Sequence, residues 1–117
     1  MGEHQKTRSI FFLPAVESCR APLWQPRADT YRKRDGWIVK FDLAGVRPDD
    51  VSVEFDGSRL TVRGVRRDWV QREFVSYYSL EISYSRFERC IELPGDLSGA
   101  RLRWEYSEGM LLVQIDK

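Results

Sequence analysis

An all-β sandwich is the fold class this sequence predicts. Three observations predict it: apolar and polar residues alternate in short runs, turn-forming residues separate those runs, and no segment holds a helical period beyond about one turn.

The runs follow one another along the chain. Trp37, Val39, Phe41 and Leu43 fall on one face of the first, with Ile38, Lys40 and Asp42 on the other. Successive strand side chains point to opposite faces, so this run reads as a half-buried strand. Val51, Val53 and Phe55 repeat the pattern against Ser52 and Glu54. Asp56-Gly57 then turns the chain into a run holding Leu60 and Val62; Asp-Gly is a hairpin signal because glycine accepts positive φ at little steric cost. "RFERCIELP" reads as a strand ending at Pro94, and "GDLSGA" as a loop. "RLRWEY" puts Leu102, Trp104 and Tyr106 on one face, "SEG" turns the chain, and "MLLVQI" puts Leu111, Val113 and Ile115 on one face.

Residues 66–81, "RRDWVQREFVSYYSLE", break this rhythm. The segment is too long for a tight turn and too aromatic for a plain solvated loop, with Trp69, Phe74, Tyr77 and Tyr78. Long loops in compact domains usually have a purpose. An arm rich in strand formers can pair with another sheet edge, and a second copy of the chain offers one. The four aromatic residues are therefore expected at a partner contact rather than over the chain's own core.

Composition points to binding rather than catalysis. A chain of 117 residues, 42% hydrophobic and 32% charged, fits one globular domain. Nineteen Lys and Arg against 18 Asp and Glu leave no basic surplus, so no nucleic-acid partner is expected, and Arg63, Arg66, Arg67 and Arg72 read as a solvated edge. No apolar run is long enough to cross a bilayer, and no membrane partner is expected. His4 is the only histidine, and Cys19 and Cys90 lie far apart, which excludes a His-based triad and leaves no metal-ligand spacing. Asp49-Asp50 follows Pro48 as a turn, and "RGVRR" lacks the spacing of a phosphate loop. Neither an enzyme, nor a cofactor, nor a metal site is expected.

Residues 1–27 read as a short apolar arm, expected to be mobile, ahead of a domain over 28–117. Its start weakly resembles a signal peptide, but Pro14 interrupts the apolar run and Glu17 stands where a small cleavage-site residue belongs. A cytoplasmic location is the expectation. Ile10, Phe11, Phe12 and Leu13 form the conspicuous apolar cluster outside the strands, the kind of surface that binds exposed apolar chains.

Four motifs in order carry a family resemblance, from about Ala28 to Lys117. Asp42-Leu43-Ala44-Gly45-Val46 resembles D-L-P-G-V, with Ala44 in place of Pro. Leu60-Thr61-Val62-Arg63-Gly64 resembles L-T-I-S-G. Residues Glu81 to Arg89 resemble E-R-x-Y-G-x-F-x-R, with Ser85 in place of Gly, and Glu108-Gly109-Met110-Leu111-Leu112-Val113 resembles N-G-V-L-T-V. The chain resembles the small heat-shock proteins, specifically their α-crystallin domain.

That resemblance implies an immunoglobulin-like sandwich that dimerises and holds unfolding client proteins without ATP. The length of 66–81 is similar to that of the bacterial and plant members' segment, which swaps a strand into the partner's sheet. It implies that Arg89 lies near the dimer interface. It also implies a groove between Val51, Val53 and Phe55 on one strand and Leu102, Trp104 and Tyr106 on another, partly filled by Trp104. The family's C-terminal I-x-I tail has no counterpart before Lys117, and Ile10-Phe11-Phe12 could substitute for it; large multi-dimer assemblies are not expected. Two other readings stay open: a co-chaperone resembling p23, and a regulatory partner that associates with other small heat-shock proteins.

Overall fold

Period-two alternation in the sequence becomes an inside and an outside in the folded chain. The computed structural model describes residues 2–4, 24–70 and 75–117. Among them are strands β1 (Gly2–His4), β2 (Ala28–Lys33), β3 (Gly36–Asp42), β4 (Val51–Asp56), β5 (Arg59–Val65), β6 (Arg86–Glu92), β7 (Arg101–Ser107) and β8 (Met110–Asp116). One antiparallel sheet has the order β1-β7-β8-β3-β2; the other has the order β4-β5-β6. Pro48–Asp50 forms a single 3₁₀ turn ahead of β4.

The two sheets share one core. Val39, Phe41, Leu111, Val113 and Ile115 face Val53, Leu60, Val62 and Phe87, all essentially inaccessible to water. Register places Val39 beside Val113 and Phe41 beside Leu111, so the inward residues form continuous rows. Each such side chain contributes about 1.5–3 kcal/mol by leaving water. Trp37, on the same face, is only half-buried at the margin of the cluster.

Ser52, expected to face solvent, is buried, as is Thr61. Both lie on the outer face of β4-β5-β6, where register puts Ser52 beside Arg63. The Arg63 guanidinium meets Glu54 at 3.5 Å and Glu88 at 3.1 Å, so its side chain spans that face. Arg66 and Arg67 are also engaged, Arg67 through two bonds to the Asp50 carboxylate at 3.0 and 3.3 Å. The expected solvated arginine edge is thus, in its described part, a set of tied-down side chains; Arg72 lies outside the described residues.

Close approach explains one motif glycine. A Cβ on Gly64 would sit 2.1 Å from the Asp50 carbonyl oxygen and 2.7 Å from the Phe87 ring. Only hydrogen fits where β5 passes between the 3₁₀ turn and the core phenyl.

Candidate functional site

Open sheet edges and one exposed arm are surfaces on which this fold can receive another chain. β2 ends the five-stranded sheet, and among the described residues it pairs on one side only, with β3. An open edge presents unpaired N–H and C=O groups and templates strand addition. The opposite end is closed differently. β1 pairs antiparallel with β7, Gly2 opposite Tyr106 and His4 opposite Trp104, so the chain's own beginning lies along that edge.

The arm between β5 and β6 is the apolar surface. Of ten large exposed apolar side chains among the described residues, eight lie between Trp69 and Tyr84. Tyr77 is 73% exposed and Tyr78 fully so, and Trp69 meets water on one side while the Arg47 guanidinium stacks 5.1 Å from its ring. These residues do not cover the chain's own core. Phe74 lies outside the described residues. Val70, Val75, Leu80, Ile82 and Tyr84 join the surface and border an open hollow of about 380 Å³. The sequence carries a further signal here: Tyr78, Leu80, Ile82 and Tyr84 alternate with Ser79, Glu81 and Ser83, the pattern of a half-buried strand. No strand is present over 66–70 or 75–85, the described part of the arm.

The root of the arm is held by contacts that sequence reasoning also missed. Arg66 N donates to Ser85 O at 3.0 Å. The Arg66 side chain donates from Nε to Ser83 O at 2.8 Å and from Nη1 to Ala44 O at 3.1 Å. Its guanidinium lies 3.7 Å from the centre of the Trp24 ring.

Arg89, half-buried on β6, donates to the Pro26 carbonyl oxygen at 2.5 Å. Its charge therefore has a polar partner inside its own chain. The six residues expected to line a groove all join the core: Val51, Val53, Leu102, Trp104 and Tyr106 are buried, and Phe55 is half-buried against them. Tyr106 reaches further and donates to the Leu43 carbonyl oxygen at 2.9 Å and to that of Val46. Burial, with the charge of Asp42 behind it, pushes the Tyr106 phenol above its ordinary range. Ile10, Phe11, Phe12 and Leu13 lie outside the described residues, as does Cys19; Cys90 is an exposed thiol 3.6 Å from Thr61 Oγ1. Among the described residues no three His, Cys, Asp or Glu side chains gather to hold a metal ion, and no helix is long and apolar enough to cross a membrane.

Topology and core together define an immunoglobulin-like β-sandwich of the α-crystallin type. The chain belongs to the Hsp20/alpha crystallin family, whose model matches residues 29–117. It is 29% identical over 96 residues to spore protein SP21 of Stigmatella aurantiaca, covering 82% of this chain and 57% of that protein. It is 25% identical over 92 residues to small heat shock protein C2 of Rickettsia felis, covering 79% and 60%. Heat shock protein 16.0 of Schizosaccharomyces pombe superposes with a TM-score of 0.70 at 28% identity, over 80% of this chain and 87% of that structure. The chain thus spans somewhat over half the length of the two curated relatives. Small heat-shock proteins are non-enzymatic chaperones that act on non-native clients and form oligomers.

Proposed function

We propose that this chain is an ATP-independent holdase of the cytoplasm, which binds unfolding proteins and limits their aggregation as a homodimer joined by exchanged arms. The observation that carries the reading is the arm itself. Residues 78–84 are patterned as a half-buried strand, yet their apolar side chains stand in water. Large exposed apolar patches mark interaction sites, and a strand-patterned one fits a sheet edge. The β2 edge is such a receiver, and a second copy supplies it with an arm. In this reading Trp69, Phe74, Tyr77 and Tyr78 are dimer contacts, Arg89 lies at the rim of that interface, and Ile10, Phe11, Phe12 and Leu13 contact clients.

Two measurements test it. Light scattering behind a size-exclusion column should give twice the chain mass, and Tyr77→Ser combined with Tyr78→Ser should shift it toward one chain. Heating a model client with equimolar protein, without nucleotide, should give less turbidity than the client alone. Equal turbidity would remove the holdase reading; an unchanged mass in the double variant would remove the arm as the contact.

β-Strand addition reads backbone more than side chain, so β2 can also receive the arm of a related chain. Association with other small heat-shock proteins is the second reading, and mixed dimers on incubation with a relative would show it.

A further inference from the structure

The exposed arm leaves β5 and returns to β6 through one small junction, and the Arg66 side chain ties its returning limb to the rest of the fold. Arg66 contacts three parts of the fold at once. Its Nε bonds to Ser83 O at 2.8 Å on the returning limb, and its Nη1 bonds to Ala44 O at 3.1 Å in the turn after β3. Its guanidinium lies over Trp24 at 3.7 Å. Trp24 is itself anchored: its ring meets the Phe87 ring edge-on at 5.2 Å and 75°, and Phe87 is fully buried. The arm is thereby connected through Arg66 and Trp24 to the core.

The chemistry requires an arginine. A guanidinium is planar, so it can stack on an indole while its in-plane N–H groups bond to two carbonyls in different directions. An ammonium can do only one of these well. Each contact is modest by itself near the surface. Their joint effect is geometric, because an apolar arm without a fixed root must be ordered when the partner binds, and that ordering weakens association.

We propose that Arg66 is a positioning residue for dimer formation: with Trp24 as its platform, it sets the direction in which the arm leaves the sandwich and so presents its strand to a second copy of this chain. The role rests on the arm-exchanged dimer proposed above.

The test compares wild type, Arg66→Ala, Arg66→Lys, Trp24→Leu and the Arg66→Ala/Trp24→Leu pair. Sedimentation velocity gives each dimer dissociation constant, and thermal unfolding is measured at concentrations where every variant is monomeric. Loss of the fork and the stack should weaken the dimer about tenfold or more. Arg66→Lys should fall close to Arg66→Ala. The double variant should be little worse than either single one, because both remove the same contact. Monomer unfolding midpoints should stay within a few degrees of wild type. The role is overturned if Arg66→Ala dimerises like wild type while Tyr77→Ser/Tyr78→Ser does not, or if the dimer weakens only as far as the monomer loses stability. A wild-type chain that stays monomeric at all concentrations would overturn the dimer itself, and this role with it.

Discussion

The Tyr106 hydroxyl on β7 lies 2.9 Å from the carbonyl oxygen of Leu43, at the turn after β3, and also reaches that of Val46. One buried phenol thus closes the Leu43–Val46 turn, whose own bond runs from Val46 N to Leu43 O at 2.9 Å. Tyr106→Phe keeps the ring and strands the Val46 carbonyl. The expected loss is about 1–2 kcal/mol, read by urea denaturation. The folded state raises the phenol's pKa, so its contribution is complete below the unfolded value near 10 and fades as pH rises through the folded one. The Phe variant should lack that alkaline decline; an unchanged midpoint and alkaline limb would show the clamp to be idle.

Glu108→Asn should stabilise the fold. The β7–β8 hairpin turns through Glu108 at φ 53° and Gly109 at φ 80°. Two positive φ values in a two-residue loop are the type I′ arrangement, which favours Asn-Gly. Glu108 is the one non-glycine residue with positive φ among the described residues. Such a position costs of order 1 kcal/mol, and Asn tolerates it better. An increase of a few degrees in Tm is expected, since about 1 kcal/mol moves a domain of this size by roughly 4–8 °C.

The strands that alternate sharply were legible in the sequence, because burial on one face forces that alternation. β7 and β8 carry it most cleanly, and β4 and β5 keep it in their apolar-polar sequence although Ser52 and Thr61 on the other face are buried too. β2 was not read as a strand: "ADTYRK" is mostly exposed, so nothing imposes a period on it. β1 is three residues long and gives no pattern. The aromatic arm was visible as an anomaly of length and composition. Its root was not, since Arg66, Ala44, Ser83 and Trp24 are brought together by the fold from distant positions. Serine in place of the motif glycine at Ser85 is also explained, because the position does not adopt positive φ.

Acid should destabilise the domain partly through Asp116. Its bond from Lys33 Nζ, and the charges of Lys33, Arg103 and Arg101, hold the carboxyl below the ordinary range against the opposing effect of burial. A depressed folded pKa means the contribution is present above the unfolded value near 4 and is lost as pH falls through the folded one. Asp116→Asn should lower stability at pH 7 and flatten its slope below about pH 4. Parallel stability curves for the two proteins would assign the acid limb to other carboxylates.

The beginning of the chain combines two features that one deletion would confuse. Residues 2–4 pair along β7, and Ile10, Phe11, Phe12 and Leu13 follow within ten residues. Removing residues 1–16 unpairs the β7 edge and also removes the proposed client contact. Phe11→Ser combined with Phe12→Ser keeps β1 while halving the apolar cluster. If the cluster binds clients, both variants should suppress aggregation less than wild type. Only the deletion should speed hydrogen exchange along β7, because only it uncovers backbone groups there. Equal suppression by wild type and Phe11→Ser/Phe12→Ser would move client capture from the N-terminal cluster to the Trp69–Tyr84 surface, which the substitutions at Tyr77 and Tyr78 already probe.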